Sequence, residues 1–403
     1  MKLKTWMRTY KQWLLTAVFA VAVFCFWMFG LPHLMLAREQ SQLFLWNTEY
    51  LTERLAVPGG LAQYLGEFIV QFFINPLYGA CWYVVLFVGA QLLCRRLLSH
   101  NNPPLSHNNP PLLRNKWYLL SFLLSGVLWY LLCNPNIPMT PIVAVVLTLI
   151  LMNLLPKGRK ARWITASVMV PVGYWLVGPA IFLLVVYVFH WLPLLLLAGC
   201  VVGSLWLAPY PSRQILRGID YYWEGDKMGT YEEMKYDMLM RQQRWSTIAA
   251  RYRAQPTESP AIKNAAYLAL WKLQRIHQQE LYSGLSLTTQ SLKSISSAFM
   301  ASETAMQIGM VNISQRSVFE AMEATPNYNK SARALRRLVE TNIITGQYEV
   351  ALKYISLLEE TTFYRGLAQQ MRQLAEHPEK IHDYPSYQRM KEAYDHSEDM
   401  LFY

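Results

Sequence analysis

The first 208 residues contain four carboxylates, Glu39, Glu49, Glu53 and Glu67, and no aspartate. All four fall inside one window, Glu39–Glu67. An ionised carboxylate in hydrocarbon costs several kcal/mol, so a bilayer excludes it from the segments it contains. That exclusion limits the N-terminal half to apolar helices joined by loops, with its acids confined to one loop on one side.

The charge balance agrees. The chain is formally +11, and residues 1–208 carry 14 Lys and Arg against those four Glu, while residues 209–403 carry 23 basic and 22 acidic groups. Basic residues flanking apolar runs are what orients membrane insertion. No basic stripe runs along the polar half, so nucleic acid is not the partner behind the high isoelectric point. Cys25, Cys81, Cys94, Cys133 and Cys200 all lie in apolar runs without metal spacing and are expected to be buried as small hydrophobes.

Trp13–Leu36 is nearly uncharged and long enough to cross a core of about 30 Å at about 1.5 Å per residue. Lys2, Lys4, Arg8 and Lys11 precede it and place the N-terminus in the cytoplasm. Leu77–Cys94 forms a second span ending at Arg95-Arg96. The twice-written unit SHNNPPLSHNNPPL (Ser99–Leu112) then reads as an extended cytoplasmic linker. Trp117–Cys133 and Ile142–Leu155 make the third and fourth spans, the latter followed by KGRKAR (Lys157–Arg162). Trp163–Ala208 has 46 residues without a charge. It fits two long spans broken near His190–Pro193, or three short ones with a further turn at Gly178-Pro179. The total is six or seven. Six put the C-terminal half in the cytoplasm, which Arg213 and Arg217 favour, and seven put it in the periplasm.

The one long external loop is then 37–76, where the acids collect. Leu43, Trp46, Tyr50 and Leu51 recur at helical spacing, as do Leu61, Leu65, Phe68 and Phe72, with Pro58-Gly59-Gly60 between the two sets. Two amphipathic helices on the membrane surface are expected, with Arg38, Glu49, Glu53, Arg54 and Glu67 facing the interface and Gln63, Glu67 and Gln71 as a polar stripe.

Residues 209–403 are rich in helix formers, with breakers at intervals from Pro256 to Pro385. GQYEVALKYISLLEE (Gly346–Glu360) is similar to the second helix of a tetratricopeptide unit, and SVFEAMEATPNY (Ser317–Tyr328) to the end of another. Phe319 and Tyr354 are 35 positions apart, near the ~34-residue period of such repeats. The fold class is therefore all-α: a polytopic bundle over 1–208, then a helical-repeat domain over 209–403 of about three helix pairs. A stack of this kind offers a face for a protein or peptide partner. Arg333, Arg336, Arg337, Tyr348 and Tyr354 are its candidate residues, against the plainer reading of the arginines as a solvated helix face. His277, His377, His382 and His396 show no metal spacing.

Two resemblances bear on function. Polytopic glycosyltransferases that use lipid-linked sugars are similar in layout, with an acid just past the first span acting as general base or metal ligand. Glu39 stands at that place, a single Glu where those enzymes usually have an Asp or an acidic pair. Separately, LFLWNTEYL (43–51), PGGLAQYLGEFIVQFFINP (58–76) and the stretch Val318–Arg365 resemble an uncharacterised family of bacterial multi-pass inner-membrane proteins with a C-terminal tetratricopeptide-like region. That resemblance implies the architecture and no activity. Members of the family are usually longer, so a final helical segment is expected to be missing here. No catalytic triad, phosphate-binding loop, HExxH or dinucleotide fingerprint is present. The leading expectation is an inner-membrane scaffold that binds a partner protein and needs no cofactor. The alternative is a polyprenyl-phosphate-sugar glycosyltransferase with Glu39 as catalytic base, the one case in which a divalent metal enters.

Overall fold

The computed structural model describes residues 2–101, 111–207, 228–287, 292–325 and 330–395, and every regular element among them is a helix. Most of the SHNNPPL duplication, Arg213, Arg217 and the last residues of the chain lie outside the described residues. The chain divides into two compact units. One comprises Met1–Met35 with Thr48–Trp223, the other Leu36–Asn47 with Glu224–Tyr403. The sequence boundary at 208 is thus incomplete: a short strap from the presumed external loop belongs to the C-terminal unit.

In the first unit, α1 (Lys2–Cys25) runs into a π-helical turn, Phe26–Gly30, closed by Leu31 N–H donating to the Phe26 carbonyl at 3.1 Å. Pro32 then opens a separate helix, α2 (Pro32–Glu39). The apolar run expected to end at Leu36 therefore stops at Gly30, because Pro32 cannot continue the preceding hydrogen-bond ladder. There follow α3 (Thr48–Leu55), α4 (Gly60–Val70) with a 3₁₀ turn to Ile74, α5 (Pro76–Asn101), α6 (Pro111–Cys133), α7 (Thr140–Asn153), α8 (Arg159–Val177), a 3₁₀ turn Gly178–Ile181, α9 (Phe182–Val188) and α10 (Trp191–Leu207). Three stretches among the described residues, Tyr10–Gly30, Pro76–Ser99 and Arg159–Val188, are long and apolar enough to cross a membrane. Four more, Gly60–Ile74, Tyr118–Cys133, Thr140–Asn153 and Trp191–Trp206, are apolar but shorter.

Arg159–Val188 is not one rod. Gly178 adopts φ +67°, a conformation that favours glycine, and the chain doubles back there. The His190 ring stacks on Trp163 at 4.1 Å, and Arg162 lies over the Tyr187 ring at 5.8 Å. The end of α9 thus returns to the start of α8. From there α10 runs back alongside α8, bringing Ser204 to the Tyr174 hydroxyl. The segment is three short helical legs, with turns at Gly178 and near His190.

Contacts sort the helix ends into two sets. At one end Arg95 donates to Gln12 Oε1 at 2.8 Å and lies over the Tyr118 ring, and Asn153 donates to the Leu93 carbonyl. Arg159, Arg162 and His190 gather at that same basic end of α8 and α9. A buried polar patch just inside it, Thr16, Gln91, Tyr118 and Ser121, ties α1, α5 and α6 together. Across the opposite end lies α4. Gly59 N–H donates to the Trp175 carbonyl near the end of α8, a Cβ on Gly66 would come within 3.1 Å of Thr140 N where α7 starts, and Phe73 packs by Gly79 at the start of α5.

That placement corrects the polar stripe. Gln63 and Glu67 do not face water: both are buried, and Glu67 accepts from Arg54 Nε at 2.8 Å, from Gln63 at 3.1 Å and from the Tyr50 hydroxyl. Glu49 and Glu53 are exposed on α3. The cysteines also depart from expectation, since Cys25 and Cys81 are exposed and the other three half-buried. Apolar surroundings on the outside of a bundle satisfy a cysteine as well as a core does.

The second unit is built from α11 (Tyr231–Arg241), α12 (Trp245–Ala254), α13 (Pro260–Lys272), α14 (Gln278–Gly284), α15 (Ile295–Gln307), α16 (Val311–Glu323), α17 (Ala332–Ile344), α18 (Tyr348–Glu359), α19 (Arg365–Glu376) and α20 (Pro385–Asp395). From α15 to α19 each helix packs on its sequence neighbour. Four of the turns are made alike. Gln243, Gln274, Gly309 and Gly346 all have positive φ, and in each the following N–H reaches back five residues, as in Arg244 to Leu239 and Gln347 to Asn342, both under 3.0 Å. These are Schellman-type closures. Their spacing, about 31 to 37 residues, is near the ~34-residue period of tetratricopeptide units.

Candidate functional site

The strap begins in the last turn of α2. Residues 36–45 are all buried, although nothing beyond Glu39 is helical until Thr48. The expected helix through Leu43, Trp46, Tyr50 and Leu51 therefore begins only at Thr48, leaving Leu43 and Trp46 in the strap. An irregular strand can be buried only if its polar groups find partners, and several here find them in the C-terminal helices. Trp46 N–H donates to the Glu360 carbonyl at 2.9 Å, and its indole Nε1 to Thr362 at 2.7 Å. The Asn47 amide donates to the Glu360 carboxylate.

Two strap side chains, Glu39 and Gln40, reach the charged groups of the C-terminal helices. Arg38 is buried with its carbonyl accepting from Ser41 N at 3.1 Å. Glu39, 3% exposed, accepts from the Tyr364 hydroxyl at 2.8 Å and faces Arg241 Nη2 at 3.5 Å. Gln40 donates to Asp237 at 3.3 Å and accepts from Arg333. Asp237 is 2% exposed and receives both Arg333 Nη atoms at 2.8 Å each, a bidentate pair. Arg333 also lies over the Phe299 ring at 4.5 Å.

Local sequence sets this up. A capping box, Thr230 with Glu233, starts α11 and fixes its rotation. Asp237 and Arg241, four residues apart, then share a face. Ser331 caps α17, on which Arg333, Arg336, Arg337 and Glu340 follow at helical spacing along one stripe. Arg336 donates to Glu340 at 2.9 Å; Arg337 pairs with Glu303 and, at 3.1 Å, with Glu340; the Tyr387 hydroxyl donates to Glu340 at 3.2 Å. Beside these groups is a cavity of about 300 Å³ lined by Arg241, Arg333, Arg336, Arg337, Glu303, Glu340, Tyr364 and Tyr387, with Met240, Met306, Met390 and Phe299 as apolar wall. Burial, together with Glu39, pushes the Tyr364 hydroxyl well above its usual range, so it is a firm donor. Burial and Glu340 do the same to Tyr387. Burial alone would raise Glu303, but Arg337 and a Gln307 hydrogen bond hold it below the ordinary carboxylate range.

Glu39, Arg333, Arg336 and Arg337, chosen from distant parts of the sequence, thus come together in one unit. Tyr348 and Tyr354 do not line the cavity; Tyr348 meets Lys391 at 3.1 Å instead. Arg54 and Glu67 pair with each other in the first unit. Asp237, Arg241, Glu303, Glu340 and Tyr364 escaped the sequence reading. Four are single charges on helices and Tyr364 lies in the turn before α19, and only the i, i+4 spacing of Asp237 and Arg241 pointed to a shared role. Among the described residues no three His, Cys, Asp or Glu side chains are placed to hold a metal.

Comparison with known proteins adds lineage without activity. A family model matches residues 8–208 and 191–403, so the chain belongs to a family of unknown function, DUF6057. No curated protein and no solved structure matches it.

Proposed function

We propose that this member of a family without an assigned activity is a membrane-anchored helical scaffold, crossing the inner membrane seven times and presenting a tetratricopeptide-like domain on the periplasmic side to bind a partner protein. The observation that carries the reading is the strap. The basic N-terminal residues favour a cytoplasmic start, so a chain that has crossed once is outside at residues 36–47. Those residues are buried among the C-terminal helices, and the two must share a compartment. The number of crossings between Thr48 and Glu224 is then even. Helices α5, α6 and α7 with the three legs of 159–207 supply six, and the legs, shorter than the usual ~20 residues, pack on one another, the first two also on α7. The four like turns at near-tetratricopeptide spacing support the repeat assignment.

The same contacts favour a structural Glu39. A general base has to present its carboxylate to substrate, whereas this one is enclosed with Tyr364 and Arg241 on its two oxygens. No observation favours the glycosyltransferase alternative over the scaffold. The test is a pair of fusions after Tyr403. Alkaline phosphatase should be active there and a cytoplasm-dependent fluorescent protein dark. The reverse pattern would sink both the parity argument and the placement. Glu39→Gln, which preserves the Tyr364 hydrogen bond, should leave expression and topology unchanged.

A further inference from the structure

We propose that the arginine-lined cavity of the C-terminal unit is a binding site for a small organic monoanion, a carboxylate carried on an apolar body. The proposal stands whichever side of the membrane this unit occupies.

The first ground is donor capacity. Each guanidinium has five N–H donors and no acceptor. The four arginines share the carboxylates of Glu39, Asp237, Glu303 and Glu340. Arg333 places three bonds on Asp237 and Gln40 through its two Nη atoms. Arg241 is not: its contact with Glu39 is long, 3.5 Å, and its Nη1 is buried without any acceptor. A buried donor left unmade is costly, so Arg241 is the arginine of this set with a donor to spare. Arg336, half-exposed at the same cavity, has only Glu340, which Arg337 also uses.

The second ground is charge. Each of the four arginines already has a carboxylate beside it, and a second added negative charge in a low-dielectric site would repel both the first and those carboxylates strongly. This selects a monoanion over a phosphomonoester. The third is shape: Met240, Met306, Met390 and Phe299 supply an apolar part of the lining. A volume of about 300 Å³ is at the small end of ligand pockets, and methionine adapts to irregular apolar shapes.

The full-length chain in lipid nanodiscs is titrated with sodium benzoate, benzamide and inorganic phosphate at constant ionic strength, following the thermal unfolding midpoint. Benzoate should raise it saturably, and benzamide and phosphate should not. Arg241→Lys keeps a cation beside Glu39 and removes the spare donor; Arg336→Gln removes a half-exposed charge. Both should unfold near the parent midpoint without ligand and bind benzoate about tenfold more weakly. The proposal is overturned by no saturable effect of benzoate, by an equal effect of benzamide or of phosphate, or by undiminished binding in both variants.

Discussion

Replacing Asp237 by Asn tests how the strap is held. Asp237 is 2% exposed and accepts two bonds of 2.8 Å from Arg333, itself only 12% exposed, and one of 3.3 Å from Gln40. Removing one partner of a buried ion pair costs about 3–5 kcal/mol, because the other charge is left desolvated. Two contacts soften the loss. Arg333 retains the Gln40 oxygen and the Phe299 ring, and Asn still offers one acceptor. A cost of about 2–3 kcal/mol follows. At 1.4 kcal/mol per tenfold, strap amides that open by releasing this contact should exchange roughly 30- to 150-fold faster. Hydrogen exchange read by mass spectrometry on peptides covering Gln40–Asn47 reports it, the Trp46 amide bonded to Glu360 being the sentinel. Arg333→Met alone should also accelerate exchange, while the double variant should recover much of the protection, since no buried charge is then left without its partner. If Asp237→Asn exchanges within threefold of the parent and the cycle shows no coupling, the strap is held by its apolar residues and the reasoning fails.

Further perturbations address other parts of the fold. Gln274 is exposed with φ +56°; a non-glycine residue there costs about 1–2 kcal/mol, offset in part by glycine's greater unfolded entropy, so Gln274→Gly should stabilise the C-terminal unit by about 0.5–1 kcal/mol in chemical denaturation. A drop in stability would show that the side chain makes a contact worth more than the strain. Glu303 sits below the ordinary carboxylate range when folded, so its contribution is present above that range and lost as pH falls through the folded value. Melting followed from pH 7 to pH 3 should show an acid limb that Glu303→Gln flattens; an unaltered limb would assign the effect elsewhere. A Cβ on Gly60 would lie 2.0 Å from the Arg54 carbonyl oxygen, whereas one on Gly89 meets nothing within 4 Å. Gly60→Ala should therefore cost several kcal/mol and yield little folded protein by size-exclusion chromatography in detergent, with Gly89→Ala equal to the parent.

Much of the first unit was legible residue by residue. Arg95-Arg96 and the run Lys157–Arg162 mark the ends of apolar stretches, although the helices run through them, α5 to Asn101 and α8 from Arg159, because charge exclusion acts on single side chains while helix formation does not stop at a charge. The turn at Gly178-Pro179 was legible as one of two options; choosing it took the contact between Trp163 and His190. In the second unit Gly346 announced its turn, but Gln243 and Gln274, making the same turn, carry no such signal. The candidate site was legible only in pieces. Glu39 was noticed for its position after an apolar run, and Arg333, Arg336 and Arg337 for their spacing.

The sequence by itself determined that the chain is helical, that the N-terminal half is apolar with its acids confined to one window, and that the C-terminal half is a succession of amphipathic helices. These depend on short-range periodicity and on the solvation of single side chains. Tertiary structure alone decided that residues 36–47 leave the unit they were expected to join, that Glu39 meets Tyr364 and Arg241, and that Asp237 neutralises Arg333. Those pairings join residues some 100 to 325 positions apart. A charge on a helix surface reads the same in sequence whether water or another charge will satisfy it, and only the packing of the helices brings the second charge within reach.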